Sequence, residues 1–141
     1  MEGQAHSVEE WIALAHRHRG DAYAARKSKR YSACCTSTGL SIECLVKAAI
    51  VKKFRWNRFP SKQERPSLYS HDIGLLIQQL DVDLRHINQA FGPKIATMTA
   101  LVRNARYDPK PMPERFVSDI FDAAFGRYGV MEWLTKTFHL S

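Results

Sequence analysis

The stretch that decides the fold of this chain is Gly39-Leu40-Ser41-Ile42-Glu43-Cys44-Leu45-Val46-Lys47-Ala48. Glu43 and Lys47 stand four residues apart in an otherwise small and aliphatic run, so on a helix they share one face and can pair. The surrounding residues predict a largely buried helix, in which a charge is costly without a partner or a task. Two interpretations follow: the charges form a modest pair at the helix surface, or they belong to a polar site inside a helical bundle.

Length and composition describe an ordinary globular chain. Its 141 residues fit one domain, residues 1–141, which is large enough to bury a core without a disulfide or a metal staple. Hydrophobic residues make up 45% of the chain and charged residues 25%, as in typical globular proteins. No apolar run reaches the roughly 18 residues that span a bilayer, and the polar N-terminus does not resemble a signal peptide. We therefore expect a cytoplasmic protein without a membrane partner.

The three cysteines, Cys34, Cys35 and Cys44, fall in one predicted helix. Cys35 and Cys44 stand nine residues apart. That separation is about 13 Å along a helix axis, which is too far for a disulfide. We therefore expect buried free thiols, in agreement with a reducing compartment.

The net charge of +7 is unevenly distributed. Residues 1–70 hold 13 Lys and Arg against 6 acids, whereas residues 71–141 hold 8 of each. The basic residues form two groups: Arg17, Arg19, Arg26, Lys27, Lys29 and Arg30, and then Lys52, Lys53, Arg55, Arg58, Lys62 and Arg65. Such groups are solvated helix faces or contacts for an anionic partner, of which nucleic acid is the first candidate.

Helical spacing of apolar residues dominates the chain, and alternating strand patterns are absent from the sequence. We predict an all-α, up-and-down bundle of four to five helices, with the second helix at its centre. The predicted helices run from Ser7 to the basic run ending at Arg30, from about Tyr31 to Phe54, from Ser70 or His71 to Leu80, from Pro93 to Arg106 and from Pro113 to Leu134, with a further helical piece from Asp81 to Phe91. Residues 55–70 contain two prolines and predict an ordered loop.

The sequence does not predict a metal site or a cofactor. His16 and His18 lie two residues apart, so on a helix their side chains point about 200° away from each other. The cysteines lack the Cys-x2-Cys spacing of zinc sites. The glycines are isolated, so no phosphate-binding loop is formed.

One pole of the bundle is expected to collect polar groups from several helices, beside Glu43 and Lys47. These groups are Lys52, Lys53 and Arg55 at the end of the second helix, His71 and Asp72 at the start of the third, Glu114 and Arg115 at the start of the last, and Arg103, Arg106 and Tyr107 at the end of the fourth. The last set joins the others only if residues 83–91 do not cross the bundle. Each set also has a structural explanation, since an acid at a helix start and arginines at a helix end complement the helix dipole.

Three segments, taken in order, resemble a known family. They are Tyr31 with Gly39 to Ala48, then Tyr69-Ser70-His71-Asp72-Ile73-Gly74-Leu75-Leu76, and then Arg106-Tyr107. The chain from 31 to 107 resembles the HEPN domain (higher eukaryotes and prokaryotes nucleotide-binding). Members often show a Gly-x-x-x-Glu-Cys-x-x-Lys-Ala helix, a His-Asp-Leu-x-x-Leu-Leu segment and a later Arg-Tyr. The resemblance implies a small up-and-down helical bundle that dimerises.

The resemblance also implies a range of functions. Many members are bacterial; some are metal-independent ribonuclease toxins beside a nucleotidyltransferase-type partner, and others are non-catalytic binding modules. The ribonucleases use an Arg-x(4–6)-His motif, but here no His follows Arg103 or Arg106 until His139. Asp108 stands where that His would follow Arg103, and an ionised carboxylate repels a phosphate. We therefore do not expect ribonuclease activity of the usual kind.

Three hypotheses follow. The preferred one is a non-catalytic HEPN-like homodimer that binds RNA, a nucleotide or a partner protein, with a bacterial toxin–antitoxin or defence system as its expected setting. The second is a ribonuclease toxin with an altered catalytic set, for which the candidates are Arg103, Arg106 and His71. The third is an immunity or antitoxin-type factor that binds a protein. The candidate ligand-binding residues are Glu43, Lys47, His71, Asp72, Arg103, Arg106 and Tyr107.

Overall fold

The computed structural model describes residues 3–83, 87, 89–105 and 110–140, with the backbone alone for 101–105. Within these residues the chain is helical and contains no strand. The helices are α1 Val8–Lys27, α2 Tyr31–Phe54, α3 Ile73–Gln78, α4 Gly92–Ala105, α5 Glu114–Phe125 and α6 Val130–Phe138, with a 3₁₀ turn at Pro66–Tyr69. The predicted all-α bundle is confirmed: five of these helices have nine residues or more, and α3 has six.

A capping box starts α1. The Ser7 hydroxyl accepts a hydrogen bond from the Glu10 backbone N–H at 3.0 Å, and the Glu10 carboxylate accepts one from the Ser7 N–H at 2.9 Å. The backbone N–H groups of Ser7 and His6 both donate to this carboxylate and hold the pKa of Glu10 below its ordinary value. After a three-residue turn, α2 returns along α1, and the buried Ser41 hydroxyl donates to the Ala15 carbonyl at 2.7 Å. The two helices therefore form an antiparallel hairpin.

The second helix is the centre of the bundle, as predicted. Fourteen of its 24 residues are buried, and α1, α3, α4, α5 and α6 all pack against it. The cysteines of α2 are buried free thiols, also as predicted, and burial raises the pKa of Cys35 to about 12 and that of Cys44 to about 11. Because other helices surround α2 on several sides, its apolar positions do not form one narrow stripe.

By length and composition alone, α2 is apolar enough to cross a membrane. The mean hydropathy of this helix is high, although Ser41, Glu43 and Lys47 interrupt its apolar residues and leave no continuous apolar run of that length. In the folded chain 78% of the apolar stretch is buried against other helices. That burial is typical of the core helix of a folded domain.

Two predicted helices differ from those observed. The helix expected from Pro113 to Leu134 is broken into α5 and α6, because Gly126 and Gly129 have extended backbones and Tyr128 is left-handed, with φ of 59°. A side chain at Gly129 would place its Cβ only 2.8 Å from the carbonyl oxygens of Ala123 and Gly126. The helical piece expected from Asp81 to Phe91 is wrong for its described residues, which form turns, a bend and irregular backbone.

Candidate functional site

A buried carboxylate and an exposed imidazole form the centre of the candidate site. Glu43 of α2 is only 3% exposed, and its Oε2 lies 3.0 Å from Nδ1 of His71, which precedes α3. The His71 side chain is 61% exposed. Because Nδ1 faces a carboxylate, the proton is favoured on that nitrogen, and Nε2 is available to a ligand. A neutral His71 can then accept a proton at Nε2, whereas a protonated His71 can donate from Nε2 to an anion.

Asp72 has a structural role in this arrangement. Its Oδ1 accepts a hydrogen bond from the Leu75 backbone N–H at 3.2 Å, which makes Asp72 the N-cap of α3. Its own backbone N–H donates to the Ser70 hydroxyl at 2.9 Å. The capping interpretation is confirmed, and these two bonds fix the backbone that carries His71 beside Glu43.

Lys47 lies one helical turn from Glu43, against aromatic rings. Its Nζ is 5.2 Å from the centre of the Trp11 ring, 5.5 Å from that of Tyr69 and 5.8 Å from that of Phe59. Burial lowers the pKa of Lys47, while the charge of Glu43 acts to raise it. The two residues therefore interact through their charges, and Lys47 also lies against rings from three other segments of the chain.

The loop that supplies two of these rings is held in place by many contacts. Phe59 is 1% exposed, packs 4.8 Å from the Trp11 ring centre, and donates its backbone N–H to Nδ1 of His6 at 3.1 Å. The Tyr69 hydroxyl donates to the Pro60 carbonyl at 2.7 Å. The prediction of an ordered loop at residues 55–70 is thus confirmed, and this order fixes the aromatic surroundings of Lys47.

A two-pronged ion pair closes the tip of the same loop. Both terminal nitrogens of Arg58 donate to the carboxylate of Glu64, each at 2.9 Å, and the Ser61 backbone N–H donates to the same carboxylate. The hydrogen bonds from Arg58, followed by those from Ser61, lower the pKa of Glu64 to about 2. The positive charge of Arg58 is thus balanced by Glu64 within the loop.

The predicted meeting of His71 with the end of α2 does not occur. The loop runs back along α2, so that His71 lies beside Glu43, and α3 then runs in the same direction as α2. Lys53 donates to the Leu80 carbonyl at the far end of α3. Glu43 and Lys53 are ten residues apart, which is about 15 Å along the helix.

The lysines at the end of α2 bind the ends of other helices. Lys53 also reaches the Asp81 carbonyl at 3.4 Å, and Lys52 donates to the His139 carbonyl at 2.6 Å, directly after α6. Cations are favourable at helix C-termini, where carbonyl groups lack partners within the helix. Part of the basic group at 52–65 therefore stabilises the fold.

The other candidate residues lie outside what the structure describes. Arg103 is in the part of α4 for which only the backbone is described, and Arg106 and Tyr107 fall outside the described residues. Of the seven candidate ligand-binding residues, the structure therefore places four. Glu43 and His71 lie together, and Asp72 caps α3. Lys47 lies against rings whose approach the sequence pattern does not predict.

A groove of about 950 Å³ lies elsewhere, between α3 and α4. Small and apolar residues predominate in its lining, among them Gly74, Ile77, Ile95, Ala96 and Thr99. The helices come close here, since a Cβ at Gly74 would lie 2.8 Å from Cγ2 of Thr99. Among the residues that the structure describes, no group of three or more His, Cys, Asp or Glu side chains is placed to hold a metal ion.

Comparisons with known proteins give no match: no family model, no curated protein and no solved structure resembles the chain significantly.

Proposed function

We propose that this protein is a HEPN-like helical module that binds RNA or a nucleotide as a homodimer, without cleaving it, in the bacterial cytoplasm. The observation that carries the proposal is the position of His71, which is exposed and held 3.0 Å from the buried Glu43 carboxylate. A protonated imidazole held in this way is a fixed cation that donates from Nε2 to a phosphate oxygen. The homodimer and a toxin–antitoxin or defence setting come from the family resemblance alone.

Charge and motif support binding without cleavage. The whole net charge of the chain resides in residues 1–70, which include the helix that carries Glu43. Positive charge concentrated in this way attracts polyanions. The absence of a His between Arg106 and His139 removes the usual partner of the ribonuclease arginine.

The same pair of residues favours one alternative, a ribonuclease with an altered catalytic set. A neutral His71 with its Nδ1–H directed at Glu43 has the proton arrangement of a general base, with Nε2 as the acceptor. In that case His71 takes the proton of a ribose 2′-hydroxyl as its oxygen attacks the adjacent phosphorus, the P–O5′ bond breaks, and the leaving 5′-oxygen takes a proton from water, while Arg103 or Arg106 stabilises the phosphate. Binding and cleavage thus depend on opposite protonation states of one side chain.

One experiment separates these functions. The purified protein is incubated with tRNA and mixed RNA in the absence of metal, and binding is followed by fluorescence anisotropy while cleavage is followed on a gel. The variants are His71→Ala, Glu43→Gln and Arg103→Ala/Arg106→Ala, with His16→Ala as the matched control because His16 is an exposed histidine on α1.

We expect binding without cleavage, an affinity that falls as salt is raised, and weaker binding in His71→Ala but not in His16→Ala. Cleavage that disappears in His71→Ala would overturn the non-catalytic proposal in favour of the ribonuclease. The absence of both binding and cleavage would contradict both, and would leave a protein partner of the toxin or antitoxin type as the remaining hypothesis.

A further inference from the structure

A pair of stacked aromatic rings lies at the exposed end of α2. The rings of Phe54 and Trp56 are 5.5 Å apart and nearly parallel, at an angle of 21°. Phe54 is 43% exposed, although it is a large apolar side chain, whereas Trp56 also contacts the buried ring of Phe59. The guanidinium of Arg65 lies 5.2 Å from the centre of the Trp56 ring. Phe54 is thus the more exposed ring of a stack that continues from the core to the surface.

Positive charge surrounds these rings. Residues 52–65 contain six basic residues and one acid, Glu64. That acid is already bound by Arg58, so it does not offset the charge of the others. Lys52 and Lys53 donate to backbone carbonyls, which carry no net charge, and Lys53 lies 5.7 Å from the Phe54 ring centre. We call Phe54 and Trp56, with Lys53, Arg55 and Arg65 around them, the basic aromatic surface.

Lys52, Lys53 and Arg58 have roles within the fold, but those roles explain neither the exposed face of Phe54 nor the excess of positive charge on this segment. A large exposed apolar side chain gains little stability, and like charges gathered on one segment repel each other. A ligand that carries both an aromatic face and negative charge would satisfy both features. Unpaired nucleotides have this combination, because every base has a π-face and every linkage carries a phosphate.

We propose that the basic aromatic surface binds unpaired bases of single-stranded nucleic acid, with one base stacked on Phe54 and adjacent phosphates contacted by Arg55 and Arg65. The surface is separate from His71, because His71 lies beside Glu43 and Phe54 lies about 16 Å further along the axis of α2. The inference rests on the proposed binding of RNA and adds the class of ligand, since duplexes keep their base faces covered.

An acidic protein segment is the competing ligand for a basic surface. It would use the charges, but its affinity would not depend on a flat exposed ring. Phe54→Ala therefore distinguishes the two, since alanine retains the neighbouring charges and removes the stacking face. Tyr128→Asn is the matched control: Tyr128 is 37% exposed beside Arg127, and asparagine tolerates its left-handed backbone.

The test measures anisotropy of labelled single-stranded RNA, single-stranded DNA and a duplex of the same sequence with the full chain and these variants. We expect RNA or DNA single strands to bind more tightly than the duplex, and Phe54→Ala to weaken this binding about tenfold or more. Tyr128→Asn should leave it unchanged. Arg65→Gln should weaken binding and reduce the dependence on salt by about one phosphate contact.

Tryptophan fluorescence provides a second readout. Trp11 and Trp133 are 6% and 3% exposed, whereas Trp56 is half-buried within the basic aromatic surface, so a stacked base should quench Trp56 selectively. Equal binding by Phe54→Ala and the unchanged protein, or tighter binding of the duplex, would overturn the inference. If His71→Ala weakens binding while Phe54→Ala does not, the proposed function stands and the inference fails; if no nucleic acid binds, both fail.

Discussion

Replacement of Phe59 by alanine tests whether the loop after α2 is a structural part of the core. Phe59 is 1% exposed and is among the largest fully buried side chains, although it lies outside the regular helices. Truncation of a buried phenylalanine costs about 3–5 kcal/mol through lost transfer energy and the cavity that remains. Ring contacts with Trp11 at 4.8 Å and Tyr69 at 5.8 Å add to the loss. We therefore expect a value in the upper half of that range.

The measurement is urea unfolding followed by helical circular dichroism. The free energy of unfolding of an ordinary domain is about 5–15 kcal/mol, so Phe59→Ala removes a large part of it. Phe59→Leu keeps the protein measurable, and we expect it to cost about 1–2 kcal/mol because it restores much of the apolar volume without the ring contacts. Phe54→Ala is the control from the same region, with an expected cost below about 1 kcal/mol because Phe54 is exposed. A cost below about 1 kcal/mol for Phe59→Ala would refute the argument that this loop completes the core.

Three further predictions concern titrating groups. The pKa of Glu64 is lowered to about 2 from 4.5, so the stability it contributes is present above pH 4.5 and is lost as the pH falls toward 2. Carboxyl NMR shifts should titrate near pH 2, and a midpoint near 4.5 would contradict the ion pair with Arg58. Burial lowers the pKa of Lys47 below 10.5. Between that lowered pKa and pH 10.5 the folded chain therefore binds fewer protons than the unfolded chain, and the free energy of unfolding rises with pH. Lys47→Met should remove this rise, but it also takes a positive charge away from the buried Glu43 carboxylate, so urea unfolding at pH 7 should show a loss of about 1 kcal/mol or more. Unchanged stability at pH 7 would show that Glu43 does not need the charge of Lys47. Burial raises the pKa of Cys44 to about 11, so its reaction with a thiol reagent at pH 8 should be far slower in the folded chain than in urea, and equal rates would contradict its burial.

The sequence predicted the local parts of the fold well. The bounds of α2, from Tyr31 to Phe54, agree with the prediction, because a long apolar run enclosed by basic segments specifies its own ends. The helix after Pro113 was predicted as continuous, since Tyr128 and Met131 keep the apolar spacing across the break. Glycines at 126 and 129 permit that break, but an isolated glycine is also tolerated inside helices.

The candidate site was predictable only in part. The approach of His71 to Glu43 agrees with the grouping of their segments, yet the direction of α3 does not, because a loop of more than ten residues leaves its end point undetermined. The rings around Lys47 come from α1, the loop and the 3₁₀ turn, and such a combination depends on tertiary packing. Sequence periodicity predicts which residues are buried, but it does not predict which buried residues contact each other.

The antiparallel hairpin of α1 and α2 also sets an order for assembly. Its contacts join residues that are close in sequence, and contacts of this kind form rapidly because little chain entropy is lost on closing them. The hairpin can form once residues 1–54 have left the ribosome, before α3 to α6 have emerged. At that moment the remaining apolar faces of α2 have no cover, so we expect the nascent chain to be most susceptible to aggregation, and to binding by chaperones, until α3 to α6 have emerged.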